Sequence, residues 1–183
     1  AAEEEGAAAG EENGIVKTTE AVIQDDFTGD LDPAWFDMAG NVEDTEGALT
    51  LNNDGGPVSS IKRNVGNGDF TVETKWSSYS ADTQGNNSVV IFRVSDGTEN
   101  NLVEIQRFSN GELKLLLIND KVQTSYTTKT DFADTEGWFQ IGYNSDDGTV
   151  IAVYRTGDED EYIPLEGNGE AMSNFGGKHV AEL

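Results

Sequence analysis

The chain has 183 residues, a length that suits one domain with a short additional segment. Its 35 Asp and Glu residues outnumber 11 Lys and Arg, giving a net charge of −24. Phosphate backbones and anionic lipid surfaces repel such a protein, so nucleic-acid binding and membrane insertion are excluded as functions. The absence of cysteine also excludes disulfides, thiolate metal sites and cysteine nucleophiles.

Residues 1–20 are dominated by Ala, Glu and Gly, and no large apolar residue precedes Ile15. Such a composition buries too little surface to offset its ordering entropy, which predicts a disordered acidic linker or tail. A short helix is the alternative, although Gly6 and Gly10 would interrupt it. The remaining residues, 21–183, are predicted to form one domain.

After residue 22, short runs rich in Val, Ile, Thr, Phe and Tyr alternate with clusters of Gly, Asn and Asp that are typical of tight turns. The predicted strands cover residues 21–27, 41–44, 47–52, 58–63, 69–78, 87–95, 101–108, 112–118, 121–127, 138–144, 149–155, 161–164 and 178–183. Many short strands at regular spacing predict an all-β protein, a two-sheet antiparallel β-sandwich.

The segment around residue 140 alternates apolar and polar side chains. Phe139, Ile141 and Tyr143 are expected to face the core, which turns Trp138 and Gln140 to the other face. An exposed tryptophan beside an amide would suit ligand binding. A core position for Trp138 remains the alternative.

The next strand follows a turn at residues 144–148. Here Ile151 and Val153 are predicted to face inward and Tyr154 outward. The two strands are hairpin neighbours, so this assignment places Tyr154 beside Trp138 on one surface.

Two earlier strands supply further candidates. Val90, Phe92 and Val94 are expected inward, which leaves Arg93 outward. Arg93 is expected on the same sheet as the exposed aromatics, and Arg107 is a further candidate for that sheet. Trp76 belongs to an apolar set with Phe70 and Val72. It is both a core candidate and a candidate ligand contact.

Several stretches resemble one known family. They are DDFTGDLDPAW at 25–35, EGALTL at 46–51, DFTVET at 69–74, and GWFQI, DDG and YIPL between 137 and 165. Their order and spacing resemble those of the motifs in the concanavalin A-like lectin/glucanase superfamily. The resemblance implies a jelly-roll β-sandwich, with functions that range from sugar binding and adhesion to glycoside hydrolysis. The glycine-rich terminal strand of that family has no obvious counterpart in this sequence. Either it is missing, or residues 179–183 form it.

Catalysis is disfavoured by elimination. The sole histidine, His179, is expected to be solvated, and no Gly-x-Ser-x-Gly motif accompanies it. The Glu-x-Asp-x-x-Glu strand that the resemblance would imply for a glucanase is absent. We therefore expect a protein that is not an enzyme.

Sugar binding fits the composition better, because glycan sites combine aromatic platforms with a few polar partners. The predicted ligand contacts are Trp138, Gln140, Tyr154, Arg93, Arg107 and Trp76. The expected function is a non-catalytic carbohydrate-binding module of a larger secreted or cell-surface protein, with a poly- or oligosaccharide as its partner. An adhesion or scaffold domain and a glycoside hydrolase of the same fold remain as alternatives.

The densest acidic cluster near a turn contains Asp25, Asp26, Asp30 and Asp32. One interpretation is a structural calcium site, since calcium prefers carboxylate oxygens. The other is turn chemistry, with Asp32 starting a turn before Pro33.

Overall fold

The computed structural model describes residues 27, 30–45, 47–52, 59–66, 68–77, 89–158, 160–172, 175 and 179–183. The predicted tail at 1–20 and nearly all of the predicted first strand lie outside these residues. The strands are β1 (Trp35–Ala39), β2 (Asn41–Thr45), β3 (Ala48–Asn52), β4 (Ser60–Gly66), β5 (Phe70–Ser77), β6 (Val89–Ser95), β7 (Leu102–Phe108), β8 (Leu113–Asn119), β9 (Val122–Lys129), β10 (Glu136–Asn144), β11 (Thr149–Arg155), β12 (Ile163–Pro164) and β13 (His179–Glu182). Most agree with the sequence prediction to within a few residues, and β1 is additional.

The strands form two large antiparallel sheets. The seven-stranded sheet has the order β1-β4-β13-β6-β7-β8-β9, and the four-stranded sheet has the order β12-β11-β10-β5. Strands β2 and β3 form a separate hairpin. The predicted class, an all-β two-sheet antiparallel sandwich, is confirmed. Among the described residues, no helix is long and apolar enough to cross a membrane.

The hydrophobic core lies between the two sheets. Phe92 and Val94 of the seven-stranded sheet and Phe139 and Ile141 of the four-stranded sheet belong to one buried cluster and are at most 1% exposed. The inward directions predicted for these residues are confirmed. Val90 is partly buried and packs against the same cluster.

The last strand enters the middle of the larger sheet. β13 pairs with β4 on one side and with β6 on the other. His179, at its start, is 1% exposed and stacks on Phe175, with ring centroids 5.2 Å apart. The expectation of a solvated histidine is therefore wrong. Burial holds the pKa of His179 below its usual value, since desolvation disfavours the charged imidazolium.

The predicted orientation of β11 is also wrong. Tyr154 pairs with Phe139 and lies in the core at 1% exposure, where its ring packs edge-on against Phe132. Ile151 and Val153 are buried, but their place in the strand puts them on the opposite face. Tyr154 therefore stabilises the core and offers no surface to a ligand.

Candidate functional site

The outer face of the four-stranded sheet carries a row of cation, aromatic ring and cation. Trp138 of β10 pairs with Lys75 of β5 on one side and with Arg155 of β11 on the other. Directly opposite residues of antiparallel strands share a face, so the three side chains leave the sheet together. With their polar neighbours they form a surface that we name the Trp138 patch. The Trp138 patch comprises Glu73, Lys75, Trp138, Gln140, Arg155, Asp158 and Tyr162.

The Trp138 ring is half-buried and held on several sides. Its indole Nε1 donates a hydrogen bond of 2.8 Å to Oδ1 of Asp158. The Lys75 amino nitrogen lies 5.3 Å from the ring centroid and the Arg155 guanidinium carbon 4.7 Å from it, both within cation–π range. Lys75 also donates to Asp158 at 3.0 Å. These contacts fix the direction of the ring before any ligand arrives.

A second row of polar side chains lies beside the first. Gln140 pairs with Glu73 across the β10–β5 ladder, and its Nε2 donates to Glu73 Oε2 at 3.3 Å. The Tyr162 hydroxyl donates to the same carboxylate oxygen. The Arg155 guanidinium carbon lies 5.0 Å from the Tyr162 ring centroid, so Arg155 contacts both aromatic rings of the Trp138 patch.

The two carboxyls of the Trp138 patch have pKa values shifted in opposite directions. Hydrogen bonds from Trp138 and Lys75 lower the pKa of Asp158, because they stabilise the carboxylate. Desolvation raises the pKa of Glu73, and nearby Arg155 and the Gln140 hydrogen bond only partly oppose it. Asp158 is thus a firm hydrogen-bond acceptor at neutral pH.

Arg93 points outward as predicted, but it belongs to the other sheet. It donates to Glu104 from Nε at 2.7 Å, and its Nη2 lies 2.6 Å from the same carboxylate. The Glu104 side chain is only 2% exposed, and Glu182 lies 3.4 Å from Arg93. The prediction that Arg93 shares a surface with Trp138 is wrong, since Arg93 lies on the outer face of the seven-stranded sheet.

Arg107 faces the core side of that same sheet and is 5% exposed. Its guanidinium donates to the backbone carbonyls of Phe108, Phe132 and Asp134 at 2.7, 3.3 and 3.2 Å. Arg107 therefore anchors the connection between β9 and β10. The structure gives Arg107 this structural role, and its expected role as a ligand contact stays a prediction.

Trp76 is a core residue. It is 8% exposed, and its ring stacks on Phe139 with centroids 5.3 Å apart. Of its two predicted roles, the core position is confirmed, and the ligand contact stays a prediction.

The acidic cluster is only partly described, because Asp25 and Asp26 lie outside the described residues. Asp30 is exposed. Asp32 accepts a hydrogen bond from the Ala34 backbone at one carboxylate oxygen and from Arg63 at the other, so a calcium ion would have to displace Arg63. Within the described ranges, no three His, Asp or Glu residues are placed to hold a metal ion. The calcium site stays a prediction.

Five members of the Trp138 patch were not predicted from the sequence: Glu73, Lys75, Arg155, Asp158 and Tyr162. The signal for Lys75 and Arg155 was the register between strands, because only pairing places them beside Trp138. Asp158 sits in a hydrophilic run that looks like any solvated turn. No local pattern reveals its bond to a tryptophan 20 residues away.

No family model matches the chain, and no curated protein matches it either. The structure shows a two-sheet sandwich, while the jelly-roll topology and membership of the concanavalin A-like superfamily stay predictions.

Proposed function

We propose that this domain is a non-catalytic carbohydrate-binding module of a secreted or cell-surface protein, and that it binds glycan at the Trp138 patch. One observation carries the proposal: a half-buried tryptophan is fixed in place and surrounded by reachable hydrogen-bonding groups. A pyranose ring has apolar C–H faces and a polar rim, so it needs both kinds of contact at one place.

The polar groups of the patch match sugar hydroxyls in both directions. The Asp158 side chain is 64% exposed and accepts hydrogen bonds, while the Lys75 side chain is 46% exposed and donates them. Glu73 is also exposed and accepts. A ligand ring stacked on the indole would meet acceptors and a donor at its edge.

Preorganisation supports the same conclusion. The bond to Asp158 already orders Trp138, so less rotamer entropy is lost when a ligand binds. Both cations lie over the ring, so a stacking ligand must displace one of them, and Lys75 is the farther one, at 5.3 Å against 4.7 Å for Arg155. The lysine stem is flexible and half-exposed, so its displacement costs little.

The charge of the patch favours neutral glycans. Asp158 pairs with Lys75, and the Arg155 field acts on Glu73, so the two cations carry local counter-charges. The chain as a whole has a net charge of −24. Polyanionic glycans are therefore repelled at long range and gain no free cation on arrival.

A specific observation favours hydrolysis as a second candidate. Glu73 has a raised pKa and Asp158 a lowered one on the same surface, which is the division that an acid and a nucleophile require. Against it, Asp158 is committed to Trp138 and Lys75. An assay of reducing-sugar release from each bound glycan separates the candidates, and release well above background would replace binding with catalysis.

The direct test is retention of the domain on starch, β-glucan, xylan and mucin glycans in affinity electrophoresis. We expect retention on at least one neutral glycan. Trp138→Ala should weaken it by about 1–3 kcal/mol, the range for a buried aromatic contact. Phe36→Ala is the matched control, since Phe36 is a 38% exposed aromatic on β1, outside the patch.

Two results would contradict the proposal. One is failure of the wild type to bind any of these glycans. The other is a Trp138→Ala variant that binds as tightly as the wild type. Lys75→Ala adds a finer test, because it removes the hydrogen-bond donor at the edge of the stacked ring. Since moving the lysine off the indole costs little, the lost donor should dominate and binding should weaken.

A further inference from the structure

Among the residues that the structure describes, the two large sheets end in four edge strands: β1 and β9 in the seven-stranded sheet, β12 and β5 in the four-stranded sheet. An edge strand presents backbone N–H and C=O groups to which another strand can pair. Proteins block this pairing with very short strands, proline, charged residues or bulges. The four edges of this protein differ sharply in this respect.

Three edges carry a blocking device. β12 is two residues long and contains Pro164. β5 carries the charged side chains of Glu73 and Lys75, both exposed. β1 is distorted, because Asp37 has a φ of 54° and the register with β4 shifts beside it.

The fourth edge, β9, has no such device along most of its length. It is eight residues long, and its only charged residue is Lys129 at the end. It has no carboxylate, in a chain with 35 of them among 183 residues. Its register with β8 is continuous from Val122 to Thr127. Val122 is 66% exposed. In the described part of the chain, no strand pairs with the second edge of β9.

The turn before β9 shows which backbone groups face the open edge. Asp120 and Lys121 both have positive φ, 51° and 69°, as a two-residue type I′ hairpin requires. Such a turn is closed by a hydrogen-bonded pair, here Asn119 with Val122. Hydrogen-bonded and non-bonded pairs then alternate. The residues whose N–H and C=O groups point to the open edge are Gln123, Ser125 and Thr127.

We propose that β9 pairs antiparallel with β9 of a second copy, which joins the two seven-stranded sheets into one continuous sheet. Two copies that each carry −24 repel one another over most of their surfaces. β9 itself contributes no carboxylate to this contact, and Glu166 and Glu170, which lie beside Thr128 and Tyr126, belong to a neighbouring segment. A strand of Gln, Thr and Ser is also self-complementary, since these side chains both donate and accept hydrogen bonds.

The symmetry of this pairing has a consequence that rests on the proposed glycan site. The two-fold axis between antiparallel edge strands is perpendicular to the sheet, so each face of the sheet continues into the same face of its copy. Both four-stranded sheets then lie on one side of the joined sheet. The two Trp138 patches face the same way, and a polysaccharide that spans them is bound with avidity.

Sedimentation equilibrium of the full chain over a wide concentration range tests the pairing. Salt at about 0.3 M or more screens the net charge between separated copies. We expect the mass to rise with concentration from 19.7 kDa towards twice that value. The outward-facing residues Gln123, Ser125 and Thr127 are centred on Ser125, so the pairing places the two Ser125 residues opposite each other at the two-fold axis. Ser125→Glu should therefore raise the dimer dissociation constant about tenfold, because two like charges then face each other. Ser125→Pro should act similarly by removing an outward N–H.

Ser77→Glu is the matched control, since it adds the same charge at an exposed serine on β5. It should dimerise like the wild type. A wild type that stays monomeric throughout, or a Ser125→Glu variant that is folded by circular dichroism and dimerises fully, overturns the pairing. Should Ser125→Pro fail to fold, Ser125→Glu decides alone. A monomer that binds glycan contradicts only the pairing, and a dimer that binds none contradicts only the glycan site.

Discussion

Replacing Tyr154 with alanine tests the inward face of β11 and the position of the candidate site at once. Tyr154 is 1% exposed, pairs with Phe139 and packs edge-on against Phe132 at 5.5 Å. Truncating a buried aromatic residue removes its transfer free energy and leaves a cavity, and together these cost about 3–5 kcal/mol. For a domain of this size each kcal/mol lowers Tm by about 2–4 °C, so we expect a decrease of about 6–20 °C.

Trp138→Ala is the comparison. Trp138 is adjacent in sequence to Phe139, the residue that pairs with Tyr154, but its side chain lies on the opposite face of the sheet. Its removal deletes cation–π contacts with Lys75 and Arg155, worth about 0.5–1 kcal/mol each at exposed sites. The expected decrease in Tm is then about 2–8 °C. Glycan binding should show the reverse order: Trp138→Ala should weaken it, and folded Tyr154→Ala should retain it below its own Tm.

Differential scanning calorimetry on the two variants and the wild type measures the effect. Circular dichroism at 20 °C establishes that each variant is folded before binding is compared. A Tyr154→Ala variant that melts within about 2 °C of the wild type, less than 1 kcal/mol, would refute the assignment. A Trp138→Ala variant that melts lower than Tyr154→Ala would refute it as well.

Three further measurements test other parts of the fold. Burial lowers the pKa of His179 in the folded state below its ordinary value of 6.5, so the unfolded chain takes up a proton first as pH falls. Urea titrations should therefore show the free energy of unfolding decreasing below about pH 6.5. The decrease should be smaller in the His179→Gln variant. Arg93→Met leaves the buried Glu104 carboxylate without its main partner and should cost about 3–5 kcal/mol in the same titrations, whereas Arg93→Met with Glu104→Leu should recover most of it. Gly167→Ala places a methyl group 2.4 Å from the tyrosine ring of β9 at a φ of 84°, so its Tm should fall further than that of Gly169→Ala, which has a φ of 88° and no neighbouring atom within 4 Å.

The architecture could be predicted from the sequence because period-2 alternation and turn residues act locally. Where one face of a strand is apolar and the other polar, as at Phe139 and Gln140, the alternation also gives the direction of each side chain. β1 escaped prediction because Asp37, at positive φ, interrupts the alternation of a five-residue strand. The burial of His179 was not predicted, because no local pattern shows that β13 pairs between β4 and β6, two strands more than 80 residues earlier in the chain.

The candidate site was only half predictable, because its members meet through pairing between strands. Trp138 and Gln140 follow from alternation within β10. Lys75 and Arg155 follow only once the register is known, and Arg93 was assigned to the wrong sheet because alternation does not say which sheet a strand joins. Alternation within one strand predicts which face of the sheet a side chain lies on. It does not predict which side chains of other strands lie next to it.

The error at β11 has a definite physical cause, which is the parity of a turn. Residues Val150 to Val153 are apolar on both faces, so alternation alone does not choose between the two orientations. The choice depends on how many residues connect the strands. If residues 144–148 form the turn, the turn has five residues and Phe139 pairs with Val153. Val153 then shares the inward face of Phe139, and Tyr154 faces outward.

The structure pairs Asn144 with Thr149, so the turn contains four residues, and Phe139 pairs with Tyr154. Asn144 pairs as the last residue of β10 and also makes the hydrogen bonds of the turn. Its backbone carbonyl accepts from Gly148 at 2.9 Å while its side chain accepts from the Asp146 backbone at 3.0 Å. Since every side chain changes face when the count changes by one, a single asparagine decides whether a tyrosine or Arg155 stands beside Trp138.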